Sequence, residues 1–121
     1  MALDIALKIY IPEKLVVEKN AYRVVLPTEG KTLTVIKGRA PTLMVVDMGV
    51  VQILDESDRV VEEYYVSGGA ADIKEDTCTV LTEAAINSKE IDLAQAQAMY
   101  DNFANPFYKW LIEELRRGKN R

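Results

Sequence analysis

Residues 64–92 read YYVSGGAADIKEDTCTVLTEAAINSKEID, and a change of pattern inside them decides the fold. The first part alternates and carries the adjacent pair Gly68 and Gly69. Residues 77–82 (TCTVLT) are β-branched and apolar, with no helix former until Glu83, so they read as a strand. After Asn87 and Ser88 the apolar residues recur every three or four positions instead of every two. A β-domain therefore ends at residue 86, and a helical segment is expected to begin near Lys89.

Upstream of that stretch the chain keeps the two-residue period. Leu3, Ile5, Leu7, Ile9 and Ile11 share one face of a strand that Pro12 stops, because proline cannot donate to a sheet ladder. Residues 15–17 resume a strand, residues 22–26 make another that ends at Pro27, and residues 28–31 are a turn by composition. Strands follow at 33–36, 42–46 and 50–54, with a loop at 37–41 and a bend at 47–49. Asp55, Glu56, Ser57 and Asp58 form a polar tip before a long strand over 59–67. Val60, Tyr64 and Val66 share its parity, which Glu62 interrupts. Residues 70–74 and 77–82 flank a turn at Glu75 and Asp76. Turn signals recur every 6 to 12 residues, which predicts nine or ten short antiparallel strands in a sandwich or flattened barrel over residues 1–86.

Downstream, residues 87–121 read as a short α-helical hairpin. Ser88 is the expected N-cap, with Glu90 and Asp92 at the positive end of the helix dipole. Leu93, Ala96, Tyr100 and Phe103 form an apolar stripe, with Met99 beside it. Asn105 caps a second helix that Pro106 opens, and Phe107, Trp110, Leu111 and Leu115 make its apolar face. Gly118 is the expected stop, preceded by Arg116 and Arg117. Helices this short need something to pack against.

Composition narrows the chemistry. A chain of 121 residues with 49% hydrophobic content supports one domain plus an appendage. No run reaches the roughly 20 apolar residues of a membrane span, and Asp4 and Lys8 interrupt the start, so neither a span nor a signal peptide is expected. Without histidine, Ser-His, Cys-His and His-metal chemistry are excluded. The net charge of −4 argues against nucleic acid as a partner. It is unevenly spread: Lys109, Arg116, Arg117, Lys119 and Arg121 outnumber Glu113 and Glu114 in the tail, leaving an acidic body. Cys78 sits in a strand and reads as a small buried apolar residue rather than a nucleophile. The glycine pair lacks the helix N-terminus of a phosphate cradle, and the Asp55, Glu56, Asp58 spacing is not that of a calcium loop. No catalytic residue, metal site or cofactor is expected.

Five stretches, in order, carry a family resemblance. They are LKIYIPEKLV at 7–16, Glu29 and Gly30 followed by VIKGRAP at 35–41, GVVQI at 49–53, YVSGG at 65–69, and TVLTEA at 79–84 followed by EIDLA at 90–94. The chain resembles the epsilon subunit of F-type ATP synthases, called delta in mitochondria. The resemblance implies a non-catalytic central-stalk subunit that couples rotation of the membrane c-ring to the catalytic head through the gamma subunit. It would lie at the cytoplasmic face of a bacterial inner membrane, or the organellar equivalent. It also implies that the loop region 29–41, through Glu29, Lys37, Arg39 and Pro41, faces the c-ring. Phe107, Trp110, Leu111, Arg116 and Arg117 of the second helix would contact the catalytic subunits or regulate ATP hydrolysis. Family members that bind ATP use an Ile-Leu/Asp-Asp-x-x-Arg-Ala motif and an upstream glutamate. Here Ile91, Asp92, Ala96 and Glu83 fit, but Gln95 stands in place of the arginine, and an amide cannot replace a guanidinium fork on phosphate. ATP binding is therefore expected to be weak or absent. Other departures are Lys37 and Arg39 in the loop, Ala70 after the glycine pair, and a short hairpin. The alternative is a stand-alone sandwich with a helical docking tail that does not assemble into a synthase.

Overall fold

The computed structural model describes residues 4–12 and 14–119, with only the backbone of Lys119. Leu3, Glu13, Arg121 and the Lys119 side chain therefore lie outside the described residues. Ten strands build two five-stranded sheets. The first sheet runs β2 (Lys14–Ala21), β1 (Ile5–Ile11), β9 (Thr77–Thr82), β8 (Gly69–Ile73), β5 (Thr42–Val46). The second runs β10 (Ala85–Asn87), β7 (Val60–Val66), β6 (Gly49–Leu54), β3 (Arg23–Thr28), β4 (Lys31–Val35). The sheets keep free edges, so the molecule is a sandwich and not a closed barrel. Their inner faces meet in one core that includes Ile5, Leu7, Ile9, Leu26, Val51, Val66, Ile73, Cys78 and Val80.

Alternation explains most of this. In β1, Ile5, Leu7 and Ile9 are fully buried while the residues between them are not. Burial pushes the Cys78 thiol up to about 12, so it is a neutral core residue at physiological pH. Four details differ from the sequence reading. The pairs are antiparallel except β1 with β9, which is parallel. Hairpin signals fix the direction of local neighbours only, and these two strands lie far apart in sequence. Pro27 does not stop β3 but sits within it, opposite Thr32, after the registered pairing with β6 has ended at Val25. Val60 is exposed because the register of β6 and β7 shifts between Ile53 and Leu54, leaving Val61 as the extra residue of a bulge. Glu62 keeps the inward parity of Tyr64 and Val66, and it accepts a hydrogen bond from the Tyr64 hydroxyl and pairs with Lys19 at 3.5 Å.

The helical start also moves. Asn87 caps a short 3-10 turn, Ser88–Glu90, its Oδ1 accepting from the Lys89 N–H. Ile91 is extended, so the first helix, α1 (Leu93–Phe103), begins later and is capped by Asp92, not Ser88. Ala104 ends it in the left-handed region at φ 50°. The second helix, α2 (Pro106–Lys119), starts as the sequence suggests, with Asn105 Oδ1 accepting from the Phe107 N–H at 2.8 Å. It runs through Gly118, a residue whose helical cost is about 1 kcal/mol relative to alanine. Ala96, Phe107, Leu111 and Ile112 are buried between the helices and the second sheet, against Tyr65, Ala84 and Ile86. The Tyr65 and Trp110 rings meet edge to face, centroids 5.8 Å apart. Phe103 does not join the stripe: it is 65% exposed and touches only the ring of Tyr108 among the aromatic contacts.

Candidate partner-binding site

The outer face of the second sheet is partly covered by the hairpin, at Tyr65 and Ile86, whereas among the described residues the outer face of the first leaves Leu81 and Val45 exposed. Register shows what that face presents. Leu15 lies opposite Tyr10, Tyr10 opposite Leu81, Leu81 opposite Ala70, and Ala70 opposite Val45. These five residues form one apolar row across all five strands, about 19 Å long at the usual strand spacing. Leu81 is 52% exposed and Val45 62%, and Leu43 beside it is 78% exposed. The next row is polar: Glu18, Lys8, Thr79 and Asp72 stand opposite one another, ending at Leu43. A continuous apolar row edged by a polar one is what a sheet buries against another protein. The sequence showed apolar residues on the outward parity of single strands. Only the register, parallel pair included, lines them up.

The candidate residues of loop 29–41 separate. Glu29 and Gly30 form a two-residue hairpin turn, with φ 50° and 77°, the mirror-image geometry that matches strand twist. The Gly30 N–H donates to Asp47 Oδ2 at 2.9 Å, and the Thr28 hydroxyl donates to the Val45 carbonyl at 2.7 Å, so the tip is pinned to the β5–β6 connection. Lys37, Arg39 and Pro41 lie beyond the far end of β4, about 16 Å away along that strand. There the Gly38 N–H donates to the Glu75 carbonyl at 2.7 Å, and Lys37 lines a small cleft with Tyr22, Arg23 and Ile36. Arg39 is half-buried, and its Nε is shut off from solvent without a hydrogen-bond partner among the described residues. Glu29 and Arg39 thus mark opposite ends of the sandwich.

The nucleotide-motif residues separate as well. Glu83 lines a cavity with Tyr10, Gly69 and Leu81, whereas Asp92 lines a different one with Tyr65, Glu114 and Leu115. Asp92 and Gln95 are used on each other: Asp92 Oδ1 accepts from the Gln95 N–H at 2.8 Å, and Gln95 Oε1 accepts from the Asp92 N–H at 2.9 Å. This reciprocal capping box is the role of Gln95 in the structure. Gln95→Ala is expected to cost about 0.5–1 kcal/mol, read as faster amide exchange over the first turn of α1.

On α2, Phe107 and Leu111 are buried and Trp110 is half-buried against Tyr65 and Phe107. Arg116 is exposed, and Arg117 pairs with Glu114 at 2.6 Å. At the acidic tip, Asp55 accepts from the N–H groups of Ser57 and Arg59, and chiefly the Arg59 bond holds its carboxyl below the usual range. That carboxylate stabilises its own turn. Among the described residues no group of three or more acidic or cysteine side chains is placed to hold a metal.

Comparison with known proteins agrees with this architecture. Residues 4–88 match the family model described as the beta-sandwich domain of the ATP synthase delta/epsilon chain. The chain is 35% identical over 95 residues to the chloroplastic ATP synthase epsilon chain of Guillardia theta, covering 78% of this chain and 71% of that one. It is 30% identical over 117 residues to the ATP synthase epsilon chain of Synechococcus elongatus, covering 97% and 83%. Two solved structures share the fold. One is a chain of the Euglena gracilis mitochondrial ATP synthase (OSCP, F1 and c-ring), with TM-score 0.66, 18% identity, and 82% of this chain over 62% of that one. The other is a chain of the Tetrahymena thermophila mitochondrial ATP synthase central stalk and c-ring, with TM-score 0.59, 15% identity, and coverage of 94% and 95%. With the sandwich model matched over residues 4–88 and relatives at 30–35% identity covered over 71–83% of their length, the chain belongs to the delta/epsilon-chain family of ATP synthases.

Proposed function

We propose that this chain is the epsilon subunit of a rotary ATP synthase, a non-catalytic part of the central stalk that joins the gamma subunit to the c-ring. Family membership supports the assignment to the synthase, and the apolar row across the outer sheet carries the mechanical reading. A sandwich held by ten paired strands transmits torque with little deformation, and an exposed row about 19 Å long gives a shaft something to grip. The gamma subunit takes this face. The c-ring takes the end bearing Glu29, because that turn is exposed, stiff and pinned by Asp47. Lys37, Arg39 and Pro41 then flank the gamma face beside Leu43 instead of reaching the ring. The division falls after Asn87, where β10 ends, one residue later than the sequence suggests; the sandwich grips the rotor, and the hairpin, with Arg116 and Arg117 exposed, is available to the catalytic subunits. No described helix is long and apolar enough to cross a membrane, which suits a peripheral subunit on the cytoplasmic side of a bacterial inner membrane or its organellar counterpart.

The test is Leu81→Asp. It places a charge at the centre of the row without touching the core, so the melting temperature is expected to stay within a few degrees of wild type. Affinity for the co-expressed gamma subunit is expected to fall at least about 100-fold, as for a centrally placed contact residue. Wild-type co-purification of this variant would remove the assigned face. No nucleotide site forms part of this reading: titration calorimetry with ATP is expected to show no binding at low-micromolar concentrations, because Asp92 and Gln95 are engaged with each other.

A further inference from the structure

The gamma face ends at β5, whose edge away from β8 meets β3 at Val45 and is open at Leu43. Among the described residues, β5 pairs only with β8. The Val45 carbonyl accepts from the Thr28 hydroxyl, which lies on the side away from β8. In an antiparallel ladder a residue directs its N–H and C=O to the same side, and alternate residues share that side. The N–H and C=O of Leu43 and the N–H of Val45 therefore point outward from the sheet, in line.

Edge strands normally carry protection. β2 has Lys14, Glu18 and Lys19, and β4 has Lys31. β10 is three residues long, and its Ile86 packs under the hairpin. β5, Thr-Leu-Met-Val-Val, has no charge and no proline, and it carries the two most exposed large aliphatic side chains among the described residues, Leu43 at 78% and Val45 at 62%. Val45 also belongs to the apolar row, so the edge and the face form one continuous surface.

We infer that β5 receives an extended segment of the gamma subunit as an added strand, extending the first sheet beyond its edge; the inference rests on the gamma-binding reading above. The recognised chemistry is main-chain: a short segment offering an N–H and a C=O to Leu43 and a C=O to the Val45 N–H, the Val45 carbonyl being held by Thr28. Its apolar side chains fall on the outer face beside Leu43 and Val45, at alternate positions. β2 opposes an incoming strand with several charges and β4 with Lys31 at its turn end, whereas β5 opposes it with none and presents Leu43 and Val45 beside the apolar row.

Leu43→Pro and Leu43→Ala, made in the full chain and co-expressed with gamma, separate backbone from side chain. Proline removes an N–H that points away from β8 and is tolerated on edge strands. Leu43→Pro is expected to weaken gamma binding about tenfold more than Leu43→Ala, the equivalent of one main-chain hydrogen bond. In the wild-type complex the Leu43 and Val45 amides are expected to gain protection from hydrogen exchange, a reading that stands even if the proline variant melts early. If those amides exchange freely in a complex that Leu81→Asp still abolishes, strand addition is overturned and the gamma face survives. If both Leu43→Pro and Leu81→Asp bind as wild type, the gamma face fails and the inference with it. If the chain alone dimerises with the same amides protected, the edge belongs to a second copy and the gamma strand is overturned.

Discussion

Gly69→Ala is expected to lower the melting temperature by more than about 12 °C, or to prevent folding. An added Cβ would sit 1.9 Å from the Leu81 carbonyl oxygen, 3.0 Å from the Leu81 carbonyl carbon and 3.2 Å from the Thr82 Cα. All three atoms are backbone of β9, the central strand of the first sheet, so no side chain can swing aside. Gly69 pairs with Thr82 on one side and Val46 on the other, which leaves the strand no direction in which to retreat. The resulting cost is at least about 3 kcal/mol, at roughly 4 °C per kcal/mol for a domain of this size. Two controls calibrate it. Gly30→Ala meets nothing within 4 Å and pays only for its φ of +77°, about 1–2 kcal/mol. Gly118→Ala, on the open side of α2, is expected to stabilise the protein by up to about 1 kcal/mol. Thermal melts of the three variants rank close approach, backbone conformation and helix propensity separately. A Gly69→Ala protein that melts with Gly30→Ala would show that β8 and β9 can part without penalty.

The sequence contained the strands because burial on one side writes a two-residue period, as in Ile5, Leu7 and Ile9. It contained the break between the two helices because Asn105 and Pro106 have cap chemistry of their own. Features that need two distant segments were not legible. The parallel β1 and β9 pair, and hence the row from Leu15 to Val45, depends on which sheet each crossing strand joins. The bulge at Val61 was not legible either: it turns Val60 outward, while Glu62 keeps the parity of Tyr64 and Val66 and gives no sign of it. Gln95 was legible only as a missing arginine, since its partner Asp92 already read as a dipole residue. Loop 29–41 reads as one partner-facing segment in one dimension. The strand inside it, β4, carries Glu29 and Arg39 to opposite ends.

The hairpin presents the second large effect, because its stability is borrowed. Helices of 11 and 14 residues are marginal in water, so α1 and α2 persist only while docked. The docked core is small: Ala96, Phe107, Leu111 and Ile112 are its buried members, and Leu111 is fully buried at the centre of the α2 face. Truncating a buried leucine costs about 2–5 kcal/mol. In the sandwich core such a loss would be shared across the whole ladder of strands. Here it falls on one cluster that holds residues 93–119 in place, and it rivals everything that cluster supplies. Leu111→Ala is therefore expected to release the hairpin as a unit while the sandwich stays folded. Helical circular dichroism should drop, Trp110 emission should shift to the red as its contact with Tyr65 is lost, and amides of α1 and α2 should exchange freely. Amides of β1, β8 and β9 should keep wild-type protection, and the gamma subunit should still bind, because the outer face of the first sheet lies away from the hairpin. One cooperative melt of all residues at a lower temperature would contradict this, making hairpin and sandwich a single folding unit.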